Sequence, residues 1–238
     1  MTHKTYFNWS SGKDSALALF YLLQNKKYSI EKLLTTTNEA TERVTMHGLR
    51  EELLIKQIES IEISSHIIKL PKEPSMEIYN DLMTDTLNSL KKEGFTHAAF
   101  GDIFLEDLRM YRDAQLSAQN IETIYPLWKK NTSQLINEFI ELGFKTIVVS
   151  ASAKYFDKRF VGTIIDKDFI DKLPKDVDPC GENGEFHTFC FDGPIFKQPI
   201  NFGIGQKVYR EYKAPKTDTD NTLKEEKRGF WYVDLFSS

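Results

Sequence analysis

The stretch Ser10-Ser11-Gly12-Lys13-Asp14-Ser15 decides the predicted fold, because it joins a strand-like apolar run at residues 5–9 to an Ala- and Leu-rich helical run at residues 15–23. Open parallel sheets bind ligands outside the carboxyl ends of their strands, where such a loop lies. Small residues let the backbone approach a ligand closely, and Gly12 is free to adopt a left-handed conformation. The first helical turn adds unpaired N–H groups and the positive end of its dipole. The loop therefore predicts a helix cap or an anion site.

The side chains of the loop suit both interpretations. Ser10 and Ser15 supply hydroxyl groups, Lys13 supplies a compact positive charge, and Asp14 supplies a carboxylate for Mg²⁺ or for a backbone N–H. Ser and Asp cap helices in many proteins, so the residues alone leave capping and phosphate binding equally open. The loop is not a Walker loop, because Asp14 rather than Ser or Thr follows Lys13. A Rossmann fingerprint is also missing, because Gly203-Ile204-Gly205 is not followed by a third Gly at Val208.

Short apolar runs alternate with helical patterns through the first half of the chain, as in a parallel sheet flanked by helices. The predicted strands are residues 5–9, 33–37, 66–70, 97–100 and 121–127. After residue 128 the pattern changes to a helix at 135–142, a strand at 145–150, and two pairing strands, 208–212 and 230–235, around a polar stretch, 213–229, expected to be a surface loop. We predict an α/β fold with a doubly wound, five-stranded parallel sheet in residues 1–128 and a smaller α+β domain in residues 129–238.

The composition excludes several classes of protein. The chain has 238 residues with 31 Lys and Arg against 35 Asp and Glu, a net charge of −4, which argues against binding nucleic acid by bulk electrostatics. The apolar runs are too short to span a membrane, and the N-terminal residues carry no secretory pattern. Two cysteines make no disulfide framework, so we expect a cytoplasmic protein.

A second polar cluster is the most unusual stretch of the chain. Two carboxylates, an amide and an imidazole lie within six residues: Glu182, Asn183, Glu185 and His187. Gly181 and Gly184 indicate a tight turn, so the polar side chains project from a constrained backbone. Such a set suits a cationic or amide-bearing substrate, or proton transfer. A polar surface turn before a strand at 186–191 is the alternative, and the cluster alone favours that alternative.

Both stretches resemble known motifs. The loop at 10–15 resembles the Ser-Gly-Gly-x-Asp-Ser loop (PP-loop) of the ATP-pyrophosphatase superfamily, with Ser11 in place of the usual Gly. If that position needs a positive φ, Ser11 costs about 1–2 kcal/mol. Residues 181–188 resemble the Gly-Glu-Asn-Gly-Glu-(Tyr/Phe)-His-Thr hallmark of the diphthine–ammonia ligase family. Further segments resemble that family: residues 43–48, Gly101-Asp102-Ile103, Pro126-Leu127-Trp128 and Phe160-Val161-Gly162. The resemblance covers the chain from residue 6 to about residue 196.

The resemblance implies an ATP-dependent, amide-forming ligase with a HUP-like nucleotide-binding sheet, which adenylates a carboxylate, releases diphosphate and passes the acyl group to ammonia. ATP and Mg²⁺ are the implied cofactors, with Asp14 as the candidate Mg²⁺ ligand. The implied nucleotide-binding residues are Ser10, Ser11, Gly12, Lys13, Asp14, Ser15, Gly101 and Asp102. The implied substrate-binding residues are Glu182, Asn183, Glu185 and His187. The implied catalytic residues are Lys13, Asp14, Glu185 and His187.

The substrate that the resemblance implies depends on the source of the chain. In an archaeon or a eukaryote it is diphthine on elongation factor 2, whose trimethylammonium group suits Glu182 and Glu185. In a bacterium it is a small carboxylate. Two alternatives stay open: a tRNA-modifying PP-loop adenylation enzyme, disfavoured by the lack of paired cysteines and of excess basic charge, and an ATP- or AMP-binding sensor, which has no need of residues 182–187. A homodimer also stays open.

Other candidate groups carry weaker signals. Cys180, His187 and Cys190 lie close in sequence, but a structural zinc site needs four ligands at recognisable spacing, so we expect small buried thiols instead. His47 and His97 are expected to be packed or hydrogen-bonded residues rather than ligands.

Overall fold

A computed structural model describes residues 2–45, 47–213 and 227–238. Its strands are β1 (His3–Asn8), β2 (Tyr28–Asn38), β3 (Arg43–Val44), β4 (Ser65–Leu70), β5 (His97–Ala99), β6 (Glu122–Ile124), β7 (Lys145–Ser152), β8 (Phe186–Asp192), β9 (Phe202–Lys213) and β10 (Lys227–Ser237). Its helices are α1 (Lys13–Gln24), α2 (Glu51–Ile61), α3 (Met76–Lys92), α4 (Glu106–Ser117), α5 (Thr132–Glu141) and α6 (Lys167–Asp171).

Five parallel strands form the first sheet in the order β4-β2-β1-β5-β6, and the short β3 pairs antiparallel with the end of β2. The chain therefore winds outward from β1 in both directions, which confirms the predicted doubly wound sheet. Successive residues of β1 face opposite sides of this sheet. Phe7 is buried in a cluster with residues of α1 and α2, and Tyr6 in a cluster with residues of α3 and α4.

The second sheet has the order β8-β7-β10-β9, and every described pair in it is antiparallel. Helix α1 lies between the two sheets: its Leu19 and Leu22 belong to one buried apolar cluster with Phe7 of β1 and Phe189 of β8. The expected α/β architecture with a smaller α+β part is therefore confirmed. The boundary near residue 128 falls between β6 and α5 and stays a prediction.

Several predicted element ends differ from the structure. The apolar spacing of Leu49, Leu53, Leu54, Ile58 and Ile61 predicts one helical stripe, but Leu49 precedes α2, and its carbonyl accepts a hydrogen bond from Val44 N at 2.8 Å. Strand β6 ends at Ile124, because a turn closed by Trp128 N and the Tyr125 carbonyl follows it. In the polar stretch 213–229, residues 213 and 227–229 belong to β9 and β10, and 214–226 lie outside the described residues. No helix in the described ranges has the length and apolarity to cross a membrane.

The shared core predicts that the two sheets unfold together. Phe189→Ala removes a fully buried ring from the second sheet and should lower the free energy of unfolding by about 3–5 kcal/mol. Denaturant titration measures this loss, and amide exchange in β1 of the first sheet should accelerate with it. Ile204→Ala, at a half-exposed position of β9, is the control and should cost less than about 1 kcal/mol. Protection of β1 that survives unfolding of the second sheet would contradict the shared core.

Candidate active site

A cavity of about 850 Å³ lies at the carboxyl ends of β1 and β5. The strand order reverses between these neighbours, which is where open α/β sheets bind ligands. The loop at 10–15 enters the cavity from β1, and Gly101 and Asp102 enter it after β5. Most of the residues from 180 to 188 line the same cavity from the side of β8. The structure thus brings both sequence motifs to one site.

The hydroxyl groups of the loop bond to each other rather than cap the helix. Gly12, the residue that precedes α1, has no side chain to cap the helix, and the first helical N–H, that of Lys13, donates to Thr188 Oγ1 of β8. The Oγ atoms of Ser10 and Ser15 lie 2.7 Å apart, and the Ser15 Oγ also accepts a hydrogen bond from Ser10 N at 3.2 Å. Lys13, Asp14 and Ser15 at the start of α1 line the cavity, which favours an anion site over a cap made by the loop itself.

The left-handed residue of the loop is Ser11, with a φ of 69°, whereas Gly12 has a φ of −91°. Gly12 is required for a different reason. A Cβ atom there would lie 2.8 Å from His47 Cε1 and 3.3 Å from the Thr188 carbonyl oxygen. The departure from the family pattern at Ser11 thus falls on the strained position, where a Ser residue costs about 1–2 kcal/mol.

A buried amide holds the strained loop in place. Gln57 of α2 donates from Nε2 to the Ser11 carbonyl at 3.1 Å and also to the Cys190 carbonyl, while its Oε1 accepts from Trp9 Nε1 at 3.1 Å. The Ser11 carbonyl accepts a second hydrogen bond from Cys190 N at 2.9 Å. Gln57 is fully buried, so these bonds are shielded from water. One side chain thus ties together the end of β1, the loop and β8.

A buried positive charge lies at the start of α1. Lys13 donates from Nζ to Asp14 Oδ2 at 2.7 Å and to the Cys180 carbonyl, and its side chain is 4% exposed. Burial opposes the charged ammonium, but Asp14, Cys180 and Glu182 outweigh burial and raise the pKa of Lys13. The backbone N–H of Lys13 donates to Thr188 Oγ1 at 3.1 Å. Strand β8 therefore contributes directly to the geometry of the loop.

The turn after β5 packs against the start of α1. A Cβ atom at Gly101 would lie 3.0 Å from Ser15 N and 3.1 Å from the Asp14 carbonyl carbon, so a larger residue there would push the backbone at the start of α1 away from the turn. The Asp102 carboxylate accepts a hydrogen bond from the Arg112 guanidinium of α4. Both Asp102 and Arg112 line the cavity.

Glu185 stabilises the turn that carries the second motif, and it does not line the cavity. Its side chain is 2% exposed. Its carboxylate accepts hydrogen bonds from Asp178 N at 3.0 Å, from Asn183 N at 2.9 Å and from Asn183 Nδ2 at 3.1 Å. Glu182, Asn183 and His187 do line the cavity. Three of the four predicted substrate-facing residues therefore meet at the cavity, and Glu185 holds the turn that carries them through its hydrogen bonds.

Glu182 is the carboxyl group of the motif that faces the loop. Its Oε1 accepts a hydrogen bond from Ile103 N at 2.9 Å. Burial and the negative charge of Asp14 raise the pKa of Glu182 to about 7. Among the described residues no group of three His, Cys, Asp or Glu side chains is arranged to hold a metal ion alone. Asp14, beside the loop, is the carboxyl group that could bind Mg²⁺ together with substrate phosphates, because Mg²⁺ commonly takes one or two carboxylates along with phosphate oxygens.

Two imidazole rings form the wall beside the loop. The rings of His47 and His187 are stacked, with centroids 5.0 Å apart and an interplanar angle of 26°. Burial, helped by Lys13, lowers the pKa of His187 to about 4. Burial, helped by His187 and Lys13, lowers the pKa of His47 to about 3. Both rings are therefore neutral at physiological pH. Cys180 and Cys190 are buried, and burial raises the pKa of both thiols, so neither carries the features of a nucleophile.

Sequence reasoning missed Gln57, Arg112, Thr188 and the site position of His47. Gln57 lies on α2 and Arg112 on α4. The spacing of apolar residues indicates only which face of a helix is buried, and it does not indicate what a polar side chain contacts. Thr188 stood inside the quoted motif without an assigned contact. His47 lies in residues 43–48, a segment that resembles the family. That resemblance could have indicated a place at the site, whereas a lone histidine could not.

Comparison with known families agrees with this architecture. Residues 3–114 match the model of the diphthamide synthase N-terminal domain, and residues 131–216 match that of the diphthamide synthase C-terminal domain. Together the two matches account for most of the chain. The chain belongs to the diphthamide synthase family.

The curated relatives carry one shared name. The chain is 33% identical over 100 residues to the diphthine–ammonia ligase of Mus musculus, a match that covers 40% of this chain and 38% of the relative. It is 28% identical over 115 residues to that of Bos taurus and 27% identical over 115 residues to that of Homo sapiens, each covering 46% of this chain and 43% of the relative. The matched segments thus span about two fifths of the length of these relatives.

The raised pKa of Glu182 predicts that the free energy of unfolding falls as the pH rises. A carboxyl group whose pKa rises from 4.5 unfolded to about 7 folded stabilises the fold fully below pH 4.5, and that contribution is lost as the pH rises through 7. The loss amounts to about 3 kcal/mol at most. Glu182→Gln keeps an acceptor for Ile103 N and should remove most of this dependence. Urea unfolding of both proteins at pH 5 and pH 8 measures it.

The matched control is Glu141→Gln, at an exposed position of α5, which should leave the pH dependence unchanged. Equal pH dependence in wild type and in Glu182→Gln would show that Glu182 titrates normally in the folded protein.

Proposed function

We propose that this chain is an ATP-dependent, amide-forming ligase of the diphthine–ammonia ligase type. The observation that carries the proposal is the placement of the loop at 10–15 opposite Glu182, Asn183 and His187 across one cavity. The start of α1 suits an anionic nucleotide. The polar wall on the other side, which includes Glu182, suits a cationic or amide-forming substrate. The family membership and the names of the relatives support the same activity.

The phosphates of ATP would lie against the loop and the start of α1. The dipole of α1, whose first residues line the cavity, favours negative charge there. The ammonium of Lys13 adds a buried positive charge at the same point. Gly101 and Asp102 would border the nucleotide from the neighbouring strand. Because the loop is held by Gln57 and Cys190, these groups are in place before ATP binds, which lowers the reorganisation needed for reaction.

In the first proposed step, a substrate carboxylate oxygen attacks the α-phosphorus, the bond to the β-phosphate oxygen breaks, and diphosphate leaves. Asp14, with Glu182 close by, would hold a phosphate-bound Mg²⁺, which when present offsets the charge of the leaving diphosphate. Lys13 stabilises the same charge from its fixed position beside Asp14.

In the second proposed step, ammonia attacks the carbonyl carbon of the acyl-adenylate and gives up one proton to water, and AMP leaves as the C–O bond to its phosphate breaks. Glu182 and Asn183 would orient the substrate, and a cationic trimethylammonium group would be attracted to Glu182. The neutral ring of His187 would serve as a hydrogen-bonding group of this wall. Glu185 acts as a positioning residue, because its carboxylate holds the turn through Asp178 and Asn183.

The remaining assignments follow from this activity. Residues 1–128 would bind the nucleotide, and residues 129–238 would bind the substrate while also supporting the loop through Thr188. The proposed partners are ATP, ammonia and a carboxylate, either diphthine on elongation factor 2 or a small molecule. The proposed compartment is the cytoplasm.

The direct test incubates the protein with ATP labelled at the α-phosphate, Mg²⁺, ammonium and diphthine-bearing elongation factor 2 or candidate small carboxylates. We expect AMP and diphosphate as products. Asp14→Asn should lower AMP formation at least about 100-fold, because it removes the carboxylate that pairs with Lys13 and faces the phosphates. Circular dichroism checks that the fold is kept.

Asp176→Asn, at an exposed position outside the cavity, is the matched control and should keep wild-type turnover. ADP as the product, or no turnover with any carboxylate despite ATP binding, would contradict the ligase, and the second result would support a sensor. AMP formed with tRNA and not with these acceptors would support the tRNA-modifying alternative.

A further inference from the structure

A second positive charge lies on the wall of the cavity that α4 forms. Among the described residues that line the cavity, Lys13 and Arg112 are the side chains that carry a positive charge at physiological pH. Lys13 belongs to the start of α1, pairs with Asp14 and lies at the phosphates in the proposed reaction. Arg112 has no partner among the substrates in that reaction, so it is the cation of the site whose role is open.

Two contacts hold the guanidinium of Arg112 in place. Its Nη1 atom donates a hydrogen bond to Asp102 Oδ2, and its Cζ atom lies 4.6 Å from the centre of the Phe100 ring. Phe100 in turn stacks on Tyr125, with ring centres 5.4 Å apart. A planar guanidinium that is already stacked and bonded at one end loses little rotamer freedom when it takes up a ligand, which favours binding.

The other edge of the guanidinium is available to a ligand. Within the described part of the chain, Nη1 is bonded to Asp102, and neither Nε nor Nη2 of Arg112 has a hydrogen-bond partner. The side chain is 29% exposed, on a residue that lines the cavity. Nε and Nη2 offer the two parallel N–H donors that bind both oxygens of a carboxylate at once. Arg112 thus presents a fork of donors that suits an anion with two oxygens.

Arg112 lies next to the proposed place of the phosphates. Its partner Asp102 directly follows Gly101, and a Cβ atom at Gly101 would lie 3.0 Å from Ser15 N at the start of α1. The turn after β5 therefore holds one cation of the cavity, and the loop after β1 holds the other, Lys13. Since β1 and β5 are neighbours in the sheet, the two cations approach the cavity from adjacent strand ends.

The proposed reaction has to bring two anions together. The carboxylate of the substrate approaches an α-phosphorus that carries negatively charged oxygens, and repulsion between like charges opposes the approach. A fixed positive group beside the carboxylate offsets this repulsion. Lys13 and the dipole of α1 act on the phosphates, and Glu182 suits the cationic part of the substrate. Arg112 is the cation left for the carboxylate among the described residues that line the cavity.

We propose that Arg112 binds the carboxylate of the substrate and holds it for attack on the α-phosphorus. The inference rests on the proposed function and names the residue that binds the acid group. Nε and Nη2 each donate to one carboxylate oxygen, while Nη1 stays with Asp102. Each carboxylate oxygen has two lone pairs, so an oxygen that accepts from the guanidinium can still attack phosphorus.

The test separates binding of ATP from use of the carboxylate. Titration calorimetry with ATP and Mg²⁺ should give affinities within about threefold of each other for wild type and Arg112→Gln. AMP formation is then measured at varied concentrations of diphthine-bearing elongation factor 2, or of the small carboxylate that supports turnover. Arg112→Gln should raise the half-saturating concentration of the carboxylate about 10- to 100-fold, since it removes charge-assisted hydrogen bonds. The half-saturating concentration of ATP should stay unchanged.

Two further variants control the experiment. Arg112→Lys keeps the positive charge without the fork of donors and should recover only part of the loss. Arg109→Gln is the matched control, because Arg109 lies on the same helix, with its Cζ atom 4.5 Å from the centre of the Trp128 ring, and does not line the cavity. It should leave the dependence on the carboxylate unchanged.

Wild-type dependence on the carboxylate in a folded Arg112→Gln protein would overturn the role of Arg112 and leave the proposed function intact. A loss of ATP affinity as large as the loss for the carboxylate would also overturn it, because Arg112 would then bind the phosphates. Absence of AMP formation by the wild-type protein with every one of these carboxylates would overturn the proposed function and the inference together.

Discussion

The hydrogen bonds of the Gln57 amide are the interaction on which the site depends. The loop needs a left-handed residue, and this chain places Ser there, with a φ of 69° at Ser11. Such a residue persists only where its surroundings over-determine it. Gln57 and Cys190 do so by holding the Ser11 carbonyl from α2 and from β8. The position of the start of α1 follows from that fixed carbonyl, so the candidate anion site is built by tertiary contacts rather than by the loop residues alone.

The charges that bear on ligand binding are those of the groups that line the cavity, and the net charge of the chain says little about them. A net charge of −4 argues against attraction of nucleic acid by bulk electrostatics, yet it leaves room for an anionic ligand. The positive side chains at the cavity are the buried ammonium of Lys13, paired with Asp14, and the guanidinium of Arg112, paired with Asp102, and the dipole of α1 adds to them. The opposing carboxyl group of Glu182 is raised in pKa by its burial and by Asp14, so its charge responds to pH and to whatever binds between the two walls.

The doubly wound sheet and the two motifs could be predicted because they depend on local pattern: apolar runs of strand length, a helical stripe and clustered polar residues. The left-handed Ser11, the buried Gln57 and the position of His47 could not, since each depends on which distant residue lies opposite it. The same holds for Glu185, whose type suggests chemistry but whose carboxylate is occupied by the backbone of its own turn. The contact between Arg43 and Asp234 shows this limit most clearly. The Arg43 guanidinium donates a hydrogen bond to a carboxylate almost two hundred positions further along the chain.

Hydrogen exchange at the Lys13 amide, without nucleotide, tests most directly whether the loop is organised in advance. In the wild-type protein this amide donates to Thr188 Oγ1 and should be strongly protected. In Gln57→Leu, which removes the bonds to Ser11 and Trp9 at similar side-chain volume, the protection should fall at least tenfold, while the exposed Gln134→Leu leaves it unchanged. Rapid exchange in the wild-type protein, or unchanged protection in Gln57→Leu, would contradict a loop held in place by this buried amide.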